Sequence, residues 1–158
     1  MTDAVTTVVT FQSDLFNKTE SRDYFINPDC FGDDVCLFLV TSLRAAGVDC
    51  DDPAQEDWGW YFRFHTGDVA HKFACSLRRD WPSPNSNEGQ SDQAWIGFLE
   101  PEQGRLALFG IGKKAVQIEA VRKIHTALTS ASGITAVLWH KASDFDKGNE
   151  DLGLSCPA

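Results

Sequence analysis

The chain has 158 residues, 42% of them hydrophobic and 23% charged, which suits one well-packed core and is short for two. No apolar run reaches the roughly 18–20 residues of a membrane span. An odd set of five cysteines (Cys30, Cys36, Cys50, Cys75 and Cys156) with no C-x-x-C pair favours free thiols over a disulfide framework.

Charge is unevenly placed. The formal net charge is −9, and residues 1–57 hold 12 acidic and 3 basic side chains, whereas residues 58–158 hold 11 of each. Phosphate-backbone binding needs clustered Lys and Arg, so nucleic acid is not an expected partner. A basic protein or a cation is compatible with the acidic third, as is the plain alternative of a solvated surface that maintains solubility. Met1-Thr2-Asp3-Ala4 lacks the basic segment and apolar stretch of a secretory signal, so a cytoplasmic location with no membrane association is expected.

Along the chain, residues 4–12 are β-branched and read as a strand. Residues 14–32 have no clean period and read as an irregular connection, with a turn or capped start at Asn27-Pro28-Asp29. Val35, Leu39, Leu43 and Ala46 recur on one face of a helix from Asp33 to Ala46, and Gly47 stops it.

The clearest pattern follows. Trp58, Trp60, Phe62 and Phe64 alternate with smaller or polar residues, as do His71, Phe73, Cys75 and Leu77 after Gly67-Asp68. A two-residue turn at Gly67-Asp68 sets Phe64 opposite His71, Phe62 opposite Phe73, Trp60 opposite Cys75 and Trp58 opposite Leu77. Only this register gathers the large apolar side chains on one face. Residues 80–93 read as a long polar loop carrying Trp81 near its start. Strands are expected over 94–99 and 105–111, a second helix over 114–130, and a largely apolar, central strand over 134–140. The tail 141–158 reads as loose. The order β-α-β-β-β-β-α-β, rich in hairpins, predicts a single α+β domain in which a mainly antiparallel sheet carries both helices on one face.

The residues with chemical interest are Asp33, Asp34, Glu56, Asp57, Trp58, Trp60 and Trp81. Two carboxylates beside two indoles suit a cation, a basic peptide or a sugar. Gly59, between the tryptophans, leaves room for a close backbone or ligand approach. Each has a structural alternative: the tryptophans as core, and Asp33 and Asp34 as acidic residues at a helix start. The spacings support neither a metal site nor a cofactor. His65 and His71 fall on opposite faces of the hairpin, and His125 and His140 lie on other elements. No G-x-S-x-G is present and no cysteine stands beside an activating histidine. Gly110-Ile111-Gly112-Lys113-Lys114 lacks the spacing of a phosphate loop and reads as a helix-entry turn with two solvated lysines.

Cys30-Phe31-Gly32-Asp33-Asp34, a helix, and then Gln55-Glu56-Asp57-Trp58-Gly59-Trp60 resemble a group of small, uncharacterised bacterial proteins that pair F-G-D-D with E-D-W-G-W some twenty residues later. The resemblance covers residues 27–62. It implies a bacterial source and points to this segment as the site, with no activity attached. Two functions are therefore expected. One is a non-catalytic acidic module binding a basic protein partner, of an immunity-like or regulatory kind. The other is a small-ligand-binding domain or hydrolase, in which Asp33, Glu56 and Asp57 converge in a cleft.

Overall fold

The computed structural model describes residues 4–78 and 94–158. Its elements are β1 (Val8–Ser13), α1 (Asp33–Ala45), β2 (Ala54–Glu56), β3 (Gly59–Thr66), β4 (Val69–Leu77), β5 (Trp95–Pro101), α2 (Ile118–Thr129), β6 (Ile134–His140) and α3 (Ala142–Asp146). Short 3-10 turns occupy Arg105–Phe109 and Glu150–Leu152. Among the described residues six strands form one sheet in the order β2-β3-β4-β5-β1-β6, every neighbouring pair antiparallel. The chain is thus a single α+β domain.

The Gly67-Asp68 turn sets the expected register: Thr66 pairs with Val69, Phe64 with His71, Phe62 with Phe73 and Trp60 with Cys75. Gly67 takes φ +57°, which glycine adopts without a Cβ penalty. One face of the sheet presents Val9, Phe11, Trp60, Phe62, Phe64, Phe73, Leu77, Trp95 and Trp139 to the helices. Val35, Leu39 and Leu43 of α1 and Val121, Ile124 and Leu128 of α2 close over them. Burying each such side chain contributes about 1.5–3 kcal/mol before conformational entropy is counted.

Four features depart from the sequence reading. Trp58 does not continue β3: β2 pairs back on β3, with Glu56 opposite Gly59, and Asp57-Trp58 becomes the turn between them. Residues 105–111 are no strand. With glycines at 104, 110 and 112 they close into a tight 3-10 turn ending at Gly110 in the left-handed region. The strand over 134–140 lies at the sheet edge beside β1, not at its centre. Its apolar character has another cause, since both faces of this part of the sheet are covered. Trp139 faces the helix layer, while His140 meets Phe145 of α3 on the other side, with ring centroids 5.4 Å apart.

The tail, expected to be loose, supplies that second cover. Trp139 and Leu154 exchange backbone hydrogen bonds of 2.7 and 2.8 Å, and the Thr6 N–H donates to the Ala158 carbonyl at 3.0 Å. Phe145 lies against Phe98, and Arg78 pairs with Glu150.

Candidate functional site

The two acidic pairs singled out by the sequence are joined by one loop. Phe31-Gly32-Asp33-Asp34 enters α1 through Gly32 at φ +133°, where an added Cβ would lie 3.0 Å from the Cys75 carbonyl oxygen. A glycine is required there both for the backbone angle and for the close approach. The buried Asp33 uses Oδ2 to accept from the Tyr24 hydroxyl and from Arg22 Nη1, the latter at 3.1 Å. Asp34 Oδ2 accepts the Asn17 N–H at 2.8 Å. Burial raises the Asp34 pKa above the usual carboxylate value, against the lowering effect of that N–H. Gly32 is the N-cap and makes no side-chain cap bond, so these carboxylates bind the 14–32 connection while their charge still complements the helix dipole.

At the other end of the loop, Gln55 acts as a surrogate backbone. Its side-chain oxygen accepts the N–H groups of Ile26 and Asn27, and its amide donates to the Asn27 carbonyl at 2.9 Å. Asn27 Nδ2 then donates to the Asp57 carbonyl at 2.8 Å. Trp60 is the pivot. Its indole N–H donates to the Cys30 carbonyl at 3.0 Å, and its ring meets those of Phe25 and Tyr24 at 5.3 and 6.0 Å. Trp60 is therefore core, only 6% exposed, and it supports the loop from beneath.

What this end presents outward is Tyr24 at 57% and Ile26 at 83% exposure, with Asp23, Asp29 and Asp57 exposed around them. Ile26 stands outward, and Tyr24 leaves part of its surface to solvent while packing on Phe25 and Trp60 and donating to Asp33. Tyr24 and Ile26 escaped the sequence reading because the 14–32 connection has no period from which to infer orientation.

Asp33, Glu56 and Asp57 have separate surroundings. Asp33 is sequestered under Tyr24, Glu56 pairs with Lys72 Nζ at 3.3 Å, and Asp57 is exposed. Gly59 admits a backbone and not a ligand, since its Cβ would lie 2.5 Å from the Cys75 carbonyl oxygen. Trp58 leaves the helix side altogether. It lines a cleft of about 310 Å³ on the opposite face of the sheet, with Phe98, Val8, Lys72, Glu100 and Asp146. Trp81 and the 80–93 loop lie outside the described residues. Among the described residues no group of three or more His, Cys, Asp or Glu side chains is placed to hold a metal ion. Among the described residues no helix is long and apolar enough to cross a membrane.

No family model, curated protein sequence or solved structure matches this chain.

Proposed function

We propose that this chain is a non-catalytic interaction module whose acidic end binds a basic protein partner. The observation that supports the reading is the pair Tyr24 and Ile26, exposed among Asp23, Asp29 and Asp57 on a loop pinned by Gln55, Asn27 and Trp60. Apolar anchors beside exposed carboxylates give affinity through burial, and the charges, net negative here although Arg22 donates to the Tyr24 hydroxyl, give orientation and on-rate. Asp33 beneath Tyr24, Glu56 against Lys72 and Asp57 in solvent have separate surroundings, which supports binding over chemistry shared among the three carboxylates. Affinity capture at low salt tests the reading. The native chain should retain a basic protein that an Ile26→Ser/Asp57→Lys chain does not. Equal recovery by both chains, or recovery of nothing specific, contradicts it.

A second reading is favoured by the cleft beside Trp58. Its apolar floor of Val8, Ala74 and Phe98 with the polar rim of Lys72, Glu100 and Asp146 has the composition of a small-ligand site. Tryptophan fluorescence across a panel of small amphipathic ligands tests it, and a response must disappear in Trp58→Phe. A response that survives the substitution places the ligand elsewhere.

A further inference from the structure

Residues 103–114 project from the end of β5 as a closed finger. The Gln103 side chain staples its base, accepting the Lys114 N–H and donating to the Lys114 carbonyl, each at 2.8 Å. Inside it, the N–H groups of Ala107, Gly110 and Ile111 donate to the carbonyls of Gly104, Ala107 and Leu106 at 3.0–3.1 Å. The loop is thus built by its own backbone, with its ends close together. Its large side chains take no part in that construction or in the core: Leu106, Leu108, Phe109 and Ile111 are 58, 91, 78 and 59% exposed. Four exposed apolar side chains within six residues form a patch that the other described residues leave uncovered.

Charge indicates what covers it. Residues 103–117 contain Arg105, Lys113 and Lys114 and no acidic residue, in a chain whose net charge is −9. The complementary surface is the Tyr24 and Ile26 end, where Asp23, Asp29 and Asp57 are exposed and Arg22 is already paired with Asp33. The two surfaces stand at opposite ends of the sheet. The finger leaves β5 where Pro101 pairs with His71, beside the Gly67-Asp68 turn, whereas the Asp57-Trp58 turn opens the far end of β3. The length of β3 separates them by about 24 Å, so the finger does not reach the acidic end of its own chain. We infer that the finger seats on the acidic end of a second copy of this chain, giving a head-to-tail contact. An anionic lipid surface fits the finger alone but is repelled by the acidic remainder of the chain. A heterologous contact of this kind leaves one finger and one acidic end unused in each pair, so assembly continues into rings or open chains.

The inference shares its acidic end with the reading above. A chain that captures a foreign basic protein but never self-associates would preserve that reading and remove this one. Sedimentation velocity on the full chain at low salt is the test. The native chain should gain mass with concentration and return to monomer at high salt. Leu108→Ser/Phe109→Ser, Lys113→Glu/Lys114→Glu and Ile26→Ser/Asp57→Lys should each remain monomeric with unchanged thermal midpoints, because every substituted side chain is exposed. Mixing the Leu108→Ser/Phe109→Ser and Ile26→Ser/Asp57→Lys chains should restore a one-to-one dimer and nothing larger, since one intact finger and one intact acidic end remain. A native chain that is monomeric at every concentration overturns the inference. So does a mixture that stays monomeric while the native chain associates, and so does an Ile26→Ser/Asp57→Lys chain that associates on its own, which marks a finger-to-finger contact. Finger-dependent co-sedimentation of a monomeric chain with anionic vesicles also overturns it and assigns the finger to lipid.

Discussion

The backbone N–H of Gln117 donates to Nε2 of His71 at 3.2 Å, fastening the entrance of α2 to the start of β4. Because Nε2 accepts, the imidazole proton sits on Nδ1 and faces Thr66 Oγ1 at 3.3 Å, and that hydroxyl donates to Gln117 Oε1 at 2.9 Å. The three residues close a ring of hydrogen bonds in which each member both gives and receives. The ring survives only while His71 is neutral.

A pH dependence of stability follows from it. Burial lowers the His71 pKa below the ordinary value of about 6.5, and burial lowers those of His140 and His125 as well. The unfolded chain therefore takes up protons first as pH falls, and stability present above about pH 6.5 declines until the folded values are passed. Asp34, with a raised pKa, acts in the opposite sense. Its contribution is present below the ordinary carboxylate value and is lost as pH rises through the folded one. Calorimetric midpoints should fall between about pH 7 and pH 5, and His71→Asn should flatten part of that fall. A midpoint independent of pH over this range contradicts the assignment of the neutral ring.

Gly59→Ala should be among the costliest single-methyl additions in the chain. The new Cβ would lie 2.5 Å from the carbonyl oxygen of Cys75, a backbone atom fixed within the β3–β4 ladder. A loss of about 1–3 kcal/mol is expected from such overpacking. Gly104→Ala serves as the control, because no atom lies within 4 Å of its added Cβ. Urea titration of the two variants compares them directly.

Much of this architecture was legible in the sequence, and the reasons for the failures are physical. The β3–β4 hairpin could be read because its faces alternate, so that slipping the register by one residue would turn Phe62 toward Lys72. Trp58 broke the pattern because the reading followed hydrophobicity through a turn, where Asp57 and Trp58 serve chain reversal and not strand period. The 105–111 segment is apolar enough for a strand, yet Gly104, Gly110 and Gly112 let it curl and expose those side chains. Asp33 and Asp34 were recognised as important, but their partners Arg22, Tyr24 and Asn17 sit in a segment without periodicity. Only tertiary structure could bring those together.

Tyr24→Phe isolates the buried end of that network. It removes the hydroxyl that donates to Asp33 while keeping the ring beside Trp60. Asp33 would then rely on Arg22, which is itself partly solvent-exposed. A loss of about 1–2 kcal/mol is expected from leaving a buried carboxylate short of a donor. Tyr24→Leu should cost more, by the loss of ring packing. If Tyr24→Phe proves as stable as the native chain, the hydroxyl contributes nothing to folding.

Thiol chemistry should divide the cysteines sharply. None of the five forms a disulfide, with Cys30, Cys36, Cys50 and Cys75 buried and Cys156 exposed. Burial pushes the Cys36 and Cys75 thiols well above their ordinary range and raises Cys50 as well, which suppresses the reactive thiolate. An aromatic disulfide reagent should label Cys156 quickly in the native chain and the other four only on unfolding. Fast labelling of a second thiol would place one of the buried cysteines at the surface.

The central claim is that the Tyr24 and Ile26 end docks a basic partner through apolar anchors and surrounding carboxylates. Its most direct test is the affinity of the captured partner as a function of salt, measured for the native chain and for Ile26→Ser alone. The account predicts two separable losses: affinity falls with rising salt in both chains, and Ile26→Ser is weaker by a constant factor at every salt concentration. A partner whose affinity ignores salt, or is unchanged by Ile26→Ser, contradicts it.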